Sequence, residues 1–469
     1  MHSESGEEQE EERLNECLVR FEHMLAHDDQ YYFDVADLEE LIEHYMERLD
    51  LDKAWKVLEL ASNQHPHSSE FELKRADILG LKGDYEGAMK SIALLEAIMP
   101  NNPDMLITKG SIFSKLGKHE QAVEIYNRAL ETAENKNDVR LLLSYEYQSL
   151  GNQLEALSQL KIGLLDSPSD QGLIYEISFL FDTIGDSDAA IDFFKKYLDD
   201  HPYQYNAWYN LATFYIKERD FEKAIWALEF TLAVSEKHLM AHQEIGDCFL
   251  EIENWDKAEE HFNEVLTIDE DNEDALIGIA ECSEGREDFD LAFDRYKEIT
   301  DLDAYNAEAW YGMAVVREKQ ERYDECLPYV EKAIEIDGGD PEYWILLADL
   351  KTLHGEFEEA IEALEQATAI IPEDVRLWVS KADLIFNHID KELGTEVLME
   401  ALKISPENAE LHYRESALLL ASGQTSEALH FLQNGLELDY NKHILLFEQF
   451  PEAINIPRVM DLIQIYGQI

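Results

Sequence analysis

A 34-residue period runs through this chain and constrains its fold more than any other feature. Stepping by 34 from Ala54 lands on Ala54, Ala88, Ala122, Ala156, Ala190, Ala224, Ala258, Ala292, Cys326, Ala360, Gly394 and Ala428: ten alanines and two other small residues. Twelve residues earlier stand Ile42, Ala76, Gly110, Ser144, Ser178, Ala212, Gly246, Ala280, Ala314, Ala348, Ala382 and Ser416, of which eleven are Ala, Gly or Ser. Four residues after the first series, every landing from Leu58 to Leu432 is apolar or aromatic. Proline recurs twelve residues after the first series, at Pro66, Pro100, Pro168, Pro202, Pro372 and Pro406. Such a chain is a stack of small units, because one unit alone cannot bury its apolar face.

Each period predicts two helices of about 12 to 14 residues joined by a short turn. Gly83, Gly117, Gly151, Gly185, Gly355 and Gly423 fall in that turn, where glycine ends a helix readily. The small residues mark where two helix backbones cross closely, and a larger side chain there costs about 1–3 kcal/mol by overpacking. Proline after the second helix stops it from continuing.

Tryptophan stands where the first helix opens, at Trp208, Trp310, Trp344 and Trp378. The stretch from Asn206 to Val234 carries Trp208, Leu211, Ala212, Tyr215, Ala224 and Leu228. This closely resembles the tetratricopeptide repeat family, over twelve uninterrupted repeats from 35 to 442. The resemblance implies an all-α fold: a right-handed α-α superhelical solenoid of helix-turn-helix repeats with helical caps. The repeats fall at 35–68, 69–102, 103–136, 137–170, 171–204, 205–238, 239–272, 273–306, 307–340, 341–374, 375–408 and 409–442. Some positions depart from the pattern. Ser283, Arg317 and Lys351 replace the large residue that closes the first helix, and Arg140 and Glu72 replace the opening aromatic.

Outside the repeats, residues 10–34 are read as an N-terminal capping helix, with Leu14, Cys17, Leu18, Phe21, Met24 and Leu25 on one face. The same spacing suits a heptad seam, so homodimerisation through 10–27 is a second reading. Residues 1–9 are expected to be an acidic disordered tail. Residues 443–469 are expected to hold C-terminal capping helices, with Val459, Met460, Leu462, Ile463 and Tyr466 apolar after Pro457.

The chain holds 101 Asp+Glu against 38 Lys+Arg, a formal net charge of −63. Nucleic-acid backbone needs clustered Lys and Arg, so no nucleic-acid partner is expected. No run of 18 apolar residues occurs, so no membrane span is expected. The N-terminus has neither the basic start nor the apolar stretch of a secretory signal. Four cysteines without CxxC spacing fit a reducing compartment, and a cytoplasmic location is expected.

Catalytic signatures are missing. There is no GxxxxGK[ST], GxGxxG, GxSxG or HExxH in the sequence. The acidic string Asp269, Glu270, Asp271, Glu273, Asp274 puts Asp274 where a calcium loop needs glycine. His65 with His67, and His238 with His242, have no further ligand close in sequence and are read as surface histidines. Cys248 and Cys282 lie one period apart and are read as small apolar residues. No enzyme activity, metal or cofactor is expected.

The resemblance implies that the first helices line a concave groove where peptides bind. The chaperone-tail carboxylate clamp of the family is not matched, since Asn210 is the only Asn at the sixth position and Tyr175 and Phe179 precede it. Instead the groove positions carry aromatics, Tyr145, Tyr175, Phe179 and Tyr209, and then acids, Glu244, Asp247, Glu251, Glu281 and Glu284. Aromatic rings give anchor area and acids attract a basic partner. The expectation is a non-enzymatic interaction scaffold or adaptor for an extended basic-apolar protein segment. The competing expectation is a self-assembling structural or regulatory subunit whose catalytic component is another chain. In a thin array most of the acid is a solubility coat, and the local arrangement is the informative part.

Overall fold

The computed structural model describes residues 4–27, 30–66 and 68–467. The chain gathers into two compact units, 1–236 and 237–469, each treated by itself below. The first holds α1 (Glu4–His27), α2 (Val35–Glu47), α3 (Leu51–Gln64), α4 (Ser69–Leu81), α5 (Tyr85–Ile98), α6 (Pro103–Lys115), α7 (His119–Thr132), α8 (Lys136–Ser149), α9 (Gln153–Asp166), α10 (Gln171–Ile184), α11 (Ser187–Asp200), α12 (Tyr205–Lys217) and α13 (Phe221–Val234). The second holds α14 (Leu239–Glu251), α15 (Trp255–Ile268), α16 (Glu273–Gly285), α17 (Phe289–Leu302), α18 (Ala307–Lys319), α19 (Tyr323–Ile336), α20 (Pro341–His354), α21 (Phe357–Ile370), α22 (Val375–His388), α23 (Lys391–Ile404), α24 (Ala409–Ala421) and α25 (Thr425–Leu438). Two short 3-10 turns, α26 (Ile444–Gln449) and α27 (Pro457–Tyr466) follow. Among the described residues there is no strand, and each unit is a stack of helix pairs.

Local chemistry sets the helix ends. Asp50, Asp84, Asp186, Asp220 and Asp288 precede second helices, and each side chain accepts from the backbone N–H three residues on. Such a cap is worth about 1 kcal/mol. The turn inside each pair is more uniform than its sequence. Gly83, Gly117, Gly151, Gly185, Gly355 and Gly423 have φ of 70–81°, and Leu49, Arg219, Glu253, Glu287 and Glu321 at the same register have φ of 56–62°. The turn geometry is imposed by the stacking, and five residues with a Cβ accept it at a cost of roughly 1–2 kcal/mol each. Ile389 alone departs, with φ −116°.

The small residues do the packing work their period implies. A Cβ on Gly110 would lie 2.4 Å from the Tyr126 ring. In the second unit, Phe262 is cradled from both sides, since a Cβ on Gly246 or Gly278 would come within 2.4 or 2.5 Å of it. The opening tryptophans are tethers. Trp208, Trp344 and Trp378 donate their indole N–H to the carbonyls of Pro202, Gly338 and Pro372 at 2.9 Å, six residues back. Trp310 does so to Ala304 at 3.1 Å, and His412 occupies the same register with Nε2 2.9 Å from the Pro406 carbonyl.

The departures from the repeat pattern become polar contacts. Ser283 is fully buried and accepts from Arg295, which also meets Glu259 at 2.6 Å. The Arg317 guanidinium lies 3.6 Å from the Phe293 ring centre, replacing an apolar contact by a cation–π one. Lys351 pairs with Glu356, Arg140 with Asp166 and Glu72 with Arg75.

At the first end, Cys17 and Phe21 of α1 are buried with Leu38, Leu41, Ile42 and Leu58, and Leu14, Leu18 and Met24 pack beside them. Arg13 bonds Asp37 at 2.8 Å, and Glu22 meets both Tyr45 and Lys53. Helix α1 opens at Glu4, whereas a disordered tail was expected over 1–9. Glutamate is a good helix former and its charge is favourable at a helix N-terminus. Residues 1–3 lie outside the described ones, as does His67. At the other end, Leu446, Ala453, Val459 and Ile463 are buried against Tyr413, Leu432 and Leu436.

Candidate functional site

First helices of successive pairs touch one another. In the first unit α2 meets α4, α4 meets α6 and α10 meets α12; in the second α14 meets α16, α16 meets α18 and α22 meets α24. Second helices make no comparable contact with one another among the described residues. The first helices therefore form the tighter, inner face of each unit, and every residue expected in the groove lies on one of them.

Five of those residues belong to the first unit. Tyr145 on α8 is half exposed and its hydroxyl donates to Glu176 on α10 at 3.0 Å. Burial, and then the Glu176 carboxylate, push the Tyr145 phenol up. On α10, Tyr175 is 65% and Phe179 50% exposed, unusual for rings so large. Tyr209 and Asn210 sit on α12, both partly buried. The aromatics are thus placed on three adjacent inner helices, α8, α10 and α12.

The other five belong to the second unit, and their surroundings are electrostatically crowded. Asp247 on α14 accepts from Gln243 at 3.1 Å. Its pKa is pushed up to about 7, first by desolvation and then by Glu244 and Asp274. Asp247 nonetheless keeps an exposed surface. Glu281 on α16 is also pushed up to about 7, by desolvation and then by Glu308, Glu284 and Asp247. Glu284 accepts from Tyr296 and meets Lys319 at 2.5 Å. Glu244 and Glu251 complete the set on α14, one half-buried and one exposed.

The acidic face extends beyond the residues expected. Asp274, Glu308 and Glu342 stand at the second position of successive first helices, 34 apart. Asp349 and Asp383 continue the register of Asp247 and Glu281. Burial raises the carboxyl pKa of Glu308, Asp349 and Asp383 above the usual range. The same counting, applied to the eighth repeat and beyond, finds all of them. In the first unit Asp77 holds that register too, accepting from Thr108 at 2.7 Å, and its pKa is raised by burial. Among the described residues no group of three or more His, Cys, Asp or Glu is placed to hold a metal. His242, expected at the surface, is instead buried on α14 and faces His261, Nδ1 to Nδ1, at 3.1 Å. All four cysteines are free and buried. No helix among the described residues is long and apolar enough to cross a membrane.

Stacked helix pairs with an open inner face define a helical-repeat scaffold. A tetratricopeptide repeat family model matches residues 203–455, just over half of the chain. The chain belongs to the tetratricopeptide repeat family, and it is a protein-interaction scaffold of that family. A model of the ChAPs, described as Chs5p-Arf1p-binding proteins, matches residues 52–245. Among curated proteins none matches. Similar solved structures include a tetratricopeptide repeat protein from Parabacteroides merdae, at 18% identity and TM-score 0.45, covering 54% of this chain and 99% of that one. Yeast Tom70 is similar at 14% identity and TM-score 0.43, covering 92% and 96%. Pseudomonas aeruginosa pilF is similar at 17% identity and TM-score 0.36, covering 47% and 94%.

Proposed function

We propose that the chain is a non-enzymatic adaptor that binds extended protein segments carrying basic and apolar residues. The observation that carries this reading is the acidic inner face of the second unit, where desolvation and then neighbouring carboxylates, Glu244 beside Asp247 and Glu308 beside Glu281, raise both pKa values to about 7. A cationic segment laid on that face relieves the repulsion, and the field speeds its approach. In the first unit the open rings of Tyr175 and Phe179 supply anchor surface for apolar residues of such a segment. Self-association through residues 10–27 would have to release Cys17 and Phe21 from their own unit, so we read α1 as a cap. The four free thiols suit a cytoplasmic setting.

The probe is a rhodamine-labelled peptide of alternating arginine and leucine, followed by fluorescence anisotropy. Tyr175→Ala/Tyr209→Ala and, separately, Glu244→Lys/Asp247→Lys/Glu251→Lys should each weaken binding by about tenfold. Unchanged affinity in both variants would sink the reading.

A further inference from the structure

The second unit contains a cavity of about 550 Å³ between the opening turns of α18 and α20. Tyr311 and Tyr343 form an aromatic wall, their ring centres 4.7 Å apart and tilted by 35°. Around them stand Glu308, Asp337, Asp340 and Glu342. Among the described residues none of these four carboxylates has an ion pair, and no Lys or Arg lines the cavity. Helix openings ordinarily favour anions, because their first N–H groups lack partners. Here Asn306 accepts from the Ala309 N–H at 2.8 Å and Asp340 from the Glu342 N–H at 2.8 Å, so those donors are already used. The carboxylates then exclude an anion. What remains is a roomy, negative site with a tyrosine wall, at which a planar cation gains ring contact and charge-assisted hydrogen bonds together.

We propose that this cavity takes an arginine side chain of the bound protein segment. The proposal rests on the reading that the chain binds basic segments, and it names the place where one residue of that segment is gripped. Arginine fits better than lysine because its guanidinium is flat enough to lie on a tyrosine face while its edge donates to carboxylates. Glu308 and Glu342 are the exposed, adjustable partners; Asp337 and Asp340 are fixed by turn and cap bonds to Gly339 and Glu342.

The test uses the full chain and a rhodamine-labelled peptide with a single arginine among glycine and leucine, carrying benzoyl-phenylalanine beside the arginine. A second peptide has citrulline in its place, the same shape without the charge. The expected result is photocrosslinking within 305–311 and 336–343. Affinity should fall about tenfold for citrulline and for Glu308→Gln/Glu342→Gln, two exposed substitutions that leave packing alone. Crosslinks elsewhere, with full affinity in Glu308→Gln/Glu342→Gln, overturn the pocket but leave the acidic-face reading standing if Asp247→Asn/Glu281→Gln still weakens binding. Equal binding of the arginine and citrulline peptides overturns both.

Discussion

Replacing Glu415 by leucine should stabilise the second unit, and by an amount that grows with pH. Glu415 lies on α24 with no exposed surface and neither carboxyl oxygen bonded. The same register elsewhere holds Leu41, Leu143, Ile177, Leu211, Ile245, Ile279, Met313 and Leu347. Where it holds a charge, at Arg75, Lys109 and Lys381, that charge is paired with Glu72, Glu96 and Glu365. Glu415 has no such partner, and desolvation, followed by the nearby Glu427, pushes its pKa up to about 8. An acid whose pKa is higher folded than unfolded binds its proton more tightly in the fold. Its penalty is therefore absent below the unfolded value of 4.5 and grows as pH rises towards about 8. At neutral pH the penalty is roughly 3 kcal/mol, and the slope between is about 1 kcal/mol per pH unit. Glu415→Leu removes the titration and restores an apolar contact of similar size. The assay is urea unfolding of wild type and variant side by side, followed by circular dichroism at several pH values from about 5 to about 8. The stability difference should favour leucine throughout and widen by about 3 kcal/mol across that range. A difference that stays flat with pH, or a variant less stable than wild type, refutes the reasoning.

Other consequences are equally direct. Glu253→Gly relieves a left-handed residue at φ 58° and should raise stability by about 0.5–1 kcal/mol, whereas Gly355→Ala, at φ 76°, should lower it by about 1 kcal/mol; denaturant midpoints measure both. Gly246→Val drives a side chain into the Phe262 ring and should cost about 3 kcal/mol, read as a lowered thermal midpoint. Phe21→Ala, at a fully buried ring, should cost about 3–4 kcal/mol at the first end and leave the oligomeric state in light scattering unchanged.

Much of the fold was legible because packing must recur when the chain repeats. The alanine series is buried throughout, and the helices open at the residues that the period marks, with α8 one residue early where Asn135 caps it. The glycine turns were legible as well, but the identical turns at Leu49, Arg219, Glu253, Glu287 and Glu321 were not. No residue type there announces a left-handed conformation; the neighbouring pairs impose it. The inner-face residues were legible one by one from their register. Their electrostatics were not, because the elevated pKa of Asp247 and Glu281 comes first from desolvation and then from carboxylates that include Asp274 and Glu308 on neighbouring helices, and both causes appear only once the helices are stacked. The tyrosine-walled cavity was hidden for the same reason: Tyr311 and Tyr343 are 32 residues apart, and only the stacking of α18 on its neighbours brings the rings together.

The central claim is that the acidic inner face receives a basic segment. Its most direct test is the affinity of the arginine–leucine peptide against salt and pH, beside a glutamate–leucine peptide of the same length. Kd should rise steeply between about 50 and about 500 mM salt, as exposed charge attraction is screened. It should also rise as pH falls from about 8 to about 6, since Asp247 and Glu281, with pKa near 7, take up protons and lose their charge. The glutamate peptide should bind far more weakly at every condition. Equal affinity for the two peptides, or a Kd indifferent to salt and pH, would contradict the account.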